Sequence, residues 1–265
     1  MTLKILVIEG NSVISNIIYN EHLILNFSKR VEWLFIPHSD FIKSIEHFFQ
    51  IFRPDIIINI SNNIDLDILK TILYMCEKYK IKRLINTSII NTNILEQNNI
   101  CSKLCNTTVV NLFYKEIYGL YDNYNLQTAN VIPGIIHKCY KAELNNVNLF
   151  IKESGKRQFL YANDFVNIIL QFINLPLNSQ LHSLIVSPPV ESEMSISELV
   201  KSIVSEFDFN KLVIYDKTSS DGQISKTCSD IELLNYLPNF EFTPFSEGLH
   251  KTIKYFKRHY NHIRK

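Results

Sequence analysis

Along the first ninety residues, short apolar runs alternate with longer segments in which apolar residues recur every three to four positions. Apolar runs of this length are typical of buried strands, and the longer periodic segments are typical of amphipathic helices. Such alternation favours βαβ units, in which helices cover both faces of a parallel sheet. The predicted strands are Lys4–Ile8, Val31–Ile36, Asp55–Ile60 and Arg83–Ser88, and the predicted helices are Val13–Leu25, Phe41–Phe52 and Leu66–Tyr79.

The second half of the chain predicts a different arrangement of elements. We expect a helix over Phe113–Tyr124, because Tyr114, Tyr118 and Tyr121 recur at helical spacing, and then a strand over Thr128–Ile132 that ends at Pro133-Gly134. The remaining predicted elements are a helix over Ser197–Phe207, a strand over Leu212–Tyr215 and a helix from Ser246 to about Tyr260.

Together these patterns predict an α/β fold with a Rossmann-like doubly wound parallel sheet and a smaller C-terminal α/β lobe. We place the Rossmann-like domain at residues 1–185 and the lobe at residues 186–265. The 134–156 loop is expected to join the lobe on the substrate side.

Composition bears on the expected partners, cellular location and metal content of the protein. The formal net charge is +1, which gives no general electrostatic reason to expect nucleic acid or a membrane surface as partner. The N-terminus lacks a secretory pattern and the apolar runs are too short to span a bilayer, so we expect a cytoplasmic protein. The five cysteines are scattered, and Cys101 and Cys105 have no matching second pair, so we expect reduced thiols and no metal site.

Seven segments, taken in chain order, resemble the extended short-chain dehydrogenase/reductases of the NAD-dependent epimerase/dehydratase family, above all its GDP-L-fucose synthase branch. The resemblance implies a Rossmann-like fold, NADP(H) as cofactor and a nucleoside-diphosphate sugar as substrate. It also implies a homodimer, or a heterodimer with a paralogue, formed through the Leu66–Tyr79 and Phe113–Tyr124 helices. The segments are RPDIIINIS (53–61), KRLINTS (82–88), FYKEIYG (113–119), SGKRQFLYANDF (154–165), SISELVKSI (195–203), YDKTSSDGQISK (215–226) and FSEGLHKTIKYF (245–256).

The cofactor turn departs from the family's G-x-x-G-x-x-G pattern, whose glycines permit a tight turn and close approach of a pyrophosphate. In LVIEGNSVIS the three positions hold Glu9, Ser12 and Ser15, and Gly10 lies one place off the motif. Glu9 would bring a carboxylate to the place of a phosphate, although a carboxylate also stabilises a helix N-terminus. The resemblance leaves five candidate cofactor contacts: Gly10, Ser12, Ser15, His38 and Ser61.

The catalytic set implied by the resemblance is a Tyr-x-x-x-Lys pair on a helix and a serine at the end of the fourth strand. Lys115 matches the lysine, Asn111 takes the place of the tyrosine, and Ser88 matches the serine. Asparagine cannot exchange a proton at neutral pH, so conventional tyrosine-dependent catalysis is not expected. A hydroxyl that caps a turn is the alternative interpretation of Ser88.

On the substrate side, the resemblance assigns Arg157 to the phosphates of a nucleotide sugar and places Asp221 and Lys226 in a second substrate-binding turn. A guanidinium suits phosphate recognition, but an ordinary salt bridge is an equally good interpretation of Arg157.

The sequence therefore predicts a nucleotide-sugar epimerase/reductase relative of deoxysugar or surface-glycan metabolism with impaired or lost NADP-dependent chemistry. Two alternatives stay open: an active but atypical 4-keto reductase/epimerase, and a non-catalytic subunit or regulator that pairs with an active paralogue.

Overall fold

A computed structural model describes residues 2–10, 12–21, 30–60, 66–90, 94–103, 106–153, 155–176, 181–216 and 227–264. The chain divides into two compact units. The first unit comprises Met1–Lys115 and Phe165–Val186, and the second unit comprises Glu116–Asp164 and Ser187–Lys265. Where the sequence suggested one boundary after residue 185, the segment Glu116–Asp164 thus groups with the C-terminal residues.

The first unit is built on a parallel sheet. Its described strands are β1 (Leu3–Glu9), β2 (Val31–Pro37), β3 (Ile56–Ile60), β4 (Arg83–Ile89), β5 (Thr108–Tyr114) and β10 (Leu181–Ile185). They pair in the order β2-β1-β3-β4-β5-β10, and every neighbouring pair is parallel. This Rossmann-like order confirms the predicted fold class.

The helices of the first unit bury apolar residues against this sheet. Phe49, Leu69 and Ile72 belong to one buried cluster with Ile57 and Leu84 of the sheet. The apolar residues of these helices recur at helical spacing, which is why each helix can cover the apolar strands. The helices are α1 (Ser12–Glu21), α2 (His38–Phe52), α3 (Leu66–Tyr79), α4 (Ile94–Cys101) and, from Phe165 onward, α6 (Ala162–Asn174).

The strand order reverses at β1, because β2 pairs on one side of β1 and β3 pairs on the other. In open parallel sheets, ligands bind outside the carboxyl ends of the strands at such a reversal. The candidate cofactor position is therefore the turn that follows Glu9.

The second unit consists of short paired strands and four helices within the described residues. Its strand pairs are β6 (Ile117–Tyr118) with β9 (Leu160–Tyr161), β7 (Leu149–Lys152) with β12 (Val213–Asp216), and β8 (Lys156–Arg157) with β11 (Met194–Ser195). The helices are α5 (Val131–Leu144), α7 (Ile196–Ser205), α8 (Ile231–Tyr236) and α9 (Phe245–His259).

Local sequence signals account for two of these helices. The N-cap Ser195 and Glu198 form a capping box at the start of α7. The last turn of α9 carries Lys257, Arg258 and His259, whose positive charges complement the helix dipole. None of the described helices combines the length and the apolar character required to cross a bilayer.

Two predicted elements are wrong. The segment Phe113–Tyr124 is not a helix, because Phe113 and Tyr114 complete β5 and Ile117–Tyr118 form β6. The predicted strand Thr128–Ile132 is replaced by the start of α5 at Val131. Pro133 lies in the first turn of that helix, where a missing N–H leaves no intrahelical bond unmade.

Candidate functional site

Two of the predicted cofactor residues, Gly10 and Ser12, lie between the end of β1 and the start of α1. Glu9 ends β1, Gly10 follows as an exposed residue, and α1 begins at Ser12. Glu9 is partly buried, and this burial raises the pKa of its carboxyl group. An acidic residue thus directly precedes the turn where a cofactor pyrophosphate would approach the helix N-terminus.

Ser15 lies further along α1 and is only 5% exposed. Its hydroxyl has no hydrogen-bond partner among the described residues. In the family pattern this position holds a glycine that lets helix and strand approach closely, so the chain accommodates a polar side chain there without satisfying it. His38 is the first residue of α2 and directly follows Pro37, the register partner of Glu9. Ser61 lies outside the described residues.

The helical pairing expected for Asn111 and Lys115 is wrong, because Asn111 lies on β5 and Lys115 follows the end of that strand. Positions i and i+4 are about 6 Å apart along a helix but about 13 Å apart along a strand. The two side chains therefore cannot meet as a catalytic pair would on a helix. Ser88 lies on β4, is fully buried, and donates a hydrogen bond of 3.2 Å to the carbonyl of Ile89.

Asn111 instead belongs to a chain of side-chain amides that crosses the sheet, here termed the asparagine ladder: Asn59, Asn86, Asn111 and Asn98, ending on Ser183. The Nδ2 of Asn59 donates to Asn86 Oδ1 (2.7 Å), and Asn86 Nδ2 donates to Asn111 Oδ1 (3.2 Å). Asn111 Nδ2 donates to Asn98 Oδ1 of α4 (2.7 Å), and Asn98 Nδ2 donates to Ser183 Oγ (2.9 Å). The ladder fixes α4 on the sheet by polar contacts.

Sequence reasoning missed this ladder although a signal is present. Asn59, Asn86 and Asn111 each interrupt an apolar strand run, and strand register places them side by side with Ser183. A buried side-chain amide without a hydrogen-bond partner destabilises the folded state. Three neighbouring strands that each carry a buried asparagine therefore imply that these amides bond one another. Asn59 Oδ1, at the end of the ladder beside β1, has no partner among the described residues.

On the substrate side, Arg157 is held by an acidic residue. Its Nη1 donates to Oε1 of Glu116 in a direct ion pair, with the two side chains 30% and 28% exposed. The backbone carbonyl of Glu116 accepts from the N–H of Leu160 (2.9 Å), which anchors it beside β9. The arginine is therefore positioned by strand β8 but engaged by an internal carboxylate. Asp221 and Lys226 lie outside the described residues.

A cavity of about 390 Å³ lies within the second unit. Its described lining is aromatic and acidic and includes no lysine, arginine or histidine. Asp164 in its wall accepts the N–H (2.9 Å) and the hydroxyl (2.6 Å) of Thr243, and burial raises the pKa of its carboxyl group. This chemistry does not suit a diphosphate. The chemically distinctive lining residues are Tyr118, Phe159, Tyr161, Asp164, Asp230, Phe240, Glu241, Phe242 and Phe245.

Two further titratable groups of the second unit, His137 and Asp122, are buried. The 134–156 segment, expected as a loop, begins within α5, and His137 of this helix has Nδ1 2.6 Å from the carbonyl of Tyr124 and Nε2 3.3 Å from the hydroxyl of Tyr260. Asp122 is 3% exposed, and burial raises its pKa to about 7. Sequence reasoning did not single out Asp122, because nothing in its local pattern distinguishes a buried carboxylate from one in an exposed turn.

The described cysteines provide no reactive or metal-binding cluster. Cys76, Cys101 and Cys139 are buried free thiols, and Cys228 is partly exposed. Burial raises the pKa of Cys101 to about 11, so this thiol is protonated at neutral pH. Within the described ranges, no three His, Cys, Asp or Glu residues converge on a common metal position. Cys105 lies outside them.

Comparison with known proteins gives family matches over part of the chain. Residues 95–182 match the NAD dependent epimerase/dehydratase family. A GDP-L-fucose synthase of Dictyostelium discoideum is 36% identical over 151 residues, which cover 56% of this chain and 47% of that protein. A probable GDP-L-fucose synthase of Drosophila melanogaster is 27% identical over 160 residues, which cover 56% and 49%. The chain thus matches about half the length of these curated relatives.

The structural likeness extends over nearly the whole chain. The GDP-L-fucose synthetase of Naegleria fowleri matches with a TM-score of 0.84 and 21% identity, covering 99% of this chain and 95% of that one. The same enzyme bound to NADP matches with a TM-score of 0.83 and 20% identity. At these identities the likeness establishes the fold. With the sequence matches, it confirms the resemblance to the NAD-dependent epimerase/dehydratase family and its GDP-L-fucose synthases.

Proposed function

We propose that this relative of the NAD-dependent epimerase/dehydratase family is a nucleotide-sugar epimerase/reductase-type protein of deoxysugar or surface-glycan metabolism with impaired or lost NADP(H)-dependent chemistry. The observation that carries the proposal is the position of Glu9 at the carboxyl end of β1, where the strand order reverses. The related synthetase of Naegleria fowleri has a structure bound to NADP, so NADP(H) is the cofactor to test.

The residues at this turn do not fit a pyrophosphate. Two unit charges 4 Å apart repel by about 1 kcal/mol in water and about 4 kcal/mol at an effective dielectric constant of 20. This repulsion would raise the dissociation constant of the dinucleotide by a factor between about five and about 700. The carboxylate of Glu9 would therefore weaken the binding of a dinucleotide at this turn.

A second observation supports the proposal: Asn111 stands where the resemblance expects the proton-donating tyrosine. Asn111 is bound into the asparagine ladder, Ser88 is bonded to a backbone carbonyl, and Lys115 does not face a phenol on a helix. Because Asn111 and Lys115 are not paired on a helix, we derive no hydride or proton-transfer step.

The substrate class follows from the relatives, which are GDP-L-fucose synthases. We propose that a nucleoside-diphosphate sugar binds through Arg157, with Asp221 and Lys226 contributing. We also propose assembly in the cytoplasm as a homodimer or as a heterodimer with a catalytically active paralogue; the heterodimer would give a non-catalytic chain a role.

Titration with NADPH tests the cofactor part of the proposal. The only tryptophan, Trp33, lies on β2 next to β1, so energy transfer from Trp33 to the dihydronicotinamide reports binding at this sheet. We expect a dissociation constant in the millimolar range for the native chain. Glu9→Gln should tighten binding at least five-fold because it removes the charge and keeps the shape, whereas the matched control Glu9→Asp should not.

Micromolar binding of NADPH by the native chain would contradict the proposed impairment.

The proposed nucleotide-sugar substrate is tested separately, by measuring the unfolding temperature of the chain with GDP, GDP-mannose, UDP or dTDP sugars. A ligand present at a hundred times its dissociation constant adds about 2.7 kcal/mol of stability. No shift with any of them would remove the support for a nucleotide-sugar substrate.

A further inference from the structure

The ion pair between Glu116 and Arg157 is held by strands on both sides. Glu116 directly precedes β6, which pairs with β9 through Ile117 and Leu160, and its own carbonyl accepts the N–H of Leu160. Arg157 lies on β8, where it is the register partner of Met194. Because paired backbone fixes both residues, the two side chains meet with little loss of freedom beyond their own rotamers.

The pair is also largely removed from water, since about seven-tenths of each side chain is covered. A carboxylate and a phosphate use the same planar fork of guanidinium donors. A diphosphate that reaches Arg157 would therefore compete with Glu116 for the Nη1 donor of the guanidinium. If it bound beside the intact pair, it would place two anions a few ångströms apart, which is repulsive.

We propose that Glu116 is a specificity-determining residue that acts as an internal anion on Arg157. The carboxylate must leave the guanidinium before a diphosphate can bind. A bare anion such as pyrophosphate offers no contacts that offset this loss, whereas a nucleoside diphosphate offers those of its base and ribose. Glu116 thus selects complete nucleotides over free inorganic anions. This inference rests on the proposed contact between Arg157 and a nucleotide diphosphate.

The test is calorimetric titration of the full chain with GDP and, separately, with inorganic pyrophosphate. Glu116→Gln keeps the shape of the side chain and an amide oxygen for Arg157 but removes the charge. We expect it to bind GDP at least ten-fold more tightly than the native chain, and to tighten pyrophosphate binding by a larger factor. In an Arg157→Gln background, Glu116→Gln should give no gain.

Glu191→Gln is the matched control, because Glu191 is exposed in the same unit and its loss changes the net charge equally. It should leave both affinities within two-fold. Circular dichroism and the unfolding temperature establish that each variant is folded.

Failure of the inference and failure of the proposed function give different results. If Arg157→Gln abolishes GDP binding but Glu116→Gln binds like the native chain, Glu116 does not compete and the inference is overturned, while the substrate proposal stands. If Arg157→Gln binds GDP normally, or if even Glu116→Gln binds neither GDP nor pyrophosphate at millimolar concentration, both proposals fail.

Discussion

Substitution of Asn111 by tyrosine would supply the residue that the family resemblance expects at this position, yet the structure predicts damage rather than repair. The side chain of Asn111 is fully buried on β5, between β4 and the edge strand β10. It accepts from Asn86 and donates to Asn98, and it lies 3.8 Å from Cys101 Sγ. A phenol at this place is too large and cannot reproduce both amide bonds.

The magnitude follows from these contacts. The donor of Asn86 and the acceptor of Asn98 would each lose a partner, and a buried polar group left unpaired costs about 1–3 kcal/mol. Overpacking of a buried position costs about another 1–3 kcal/mol. The first unit should therefore lose roughly 3–9 kcal/mol, a large part of the roughly 5–15 kcal/mol that stabilises a typical domain.

Urea unfolding followed by Trp33 fluorescence measures this loss in the correct unit, because Trp33 lies on β2 of the same sheet. Asn99→Tyr is the control: Asn99 is exposed on α4 next to Asn98, and the same chemical change there should cost less than about 0.5 kcal/mol. If Asn111→Tyr lost less than about 1 kcal/mol, or if it gained reductase activity, the account of Asn111 as a structural strand residue would be refuted.

Two further predictions concern buried charged groups. Arg83 donates hydrogen bonds to the carbonyls of Phe172, Ile173 and Leu175 at the end of α6. Because Arg83→Met leaves these carbonyls without their donor, it should destabilise the first unit by about 2–4 kcal/mol in the same Trp33 assay. Arg83→Lys should have an intermediate effect. Equal stability of Arg83→Met and the native chain would show that these bonds contribute nothing. Asp122 has a pKa of about 7 in the folded chain, above its unfolded value of about 3.9, so the folded state retains a proton between these values. The stability that Asp122 contributes to the second unit should therefore be fully present below about pH 4 and be lost as the pH rises to about 7. Asp122→Asn should flatten this fall in hydrogen exchange of α5 and α9, and an unchanged slope would contradict it.

The sheet could be predicted from the sequence because each strand is a short apolar run bounded by polar residues. Lys4–Ile8 and Arg83–Ser88 differ from β1 and β4 by one or two residues at their ends. The same signal failed at β5, because Tyr114, Tyr118 and Tyr121 recur at helical spacing. In the structure Tyr114 ends β5 and Tyr118 ends β6, so this spacing arises from separate elements.

The start of α5 was missed for a related reason. Pro133-Gly134 normally indicates the end of a regular element, but proline is also compatible with the first turn of a helix. Three apolar residues that follow Gly134 at helical spacing are buried along α5: Ile135, Ile136 and Cys139. Their spacing indicated a helix.

Of the candidate site, the sequence could supply residue types but not their partners. Glu116 and Arg157 are 41 residues apart, and Asn86 and Asn111 are 25 residues apart. Only the pairing of strands brings such residues into contact, and periodicity within one segment contains no information on it. The assignment of Glu9, Ser12 and Ser15 to the positions of the motif glycines rests on the resemblance and stays a prediction; it needs only local sequence, since the backbone requirements of that turn are local.

The asparagine ladder also has a polarity. Every amide in it donates in the same direction, from Asn59 through Asn86 and Asn111 to Asn98 and Ser183. Aligned amide dipoles polarise one another and add up along a chain of hydrogen bonds. The electronegative end is the carbonyl oxygen of Asn59, on the strand next to β1. The ladder therefore places its negative end on β3, in the interior of the sheet, and its donor end against Ser183 of the edge strand β10.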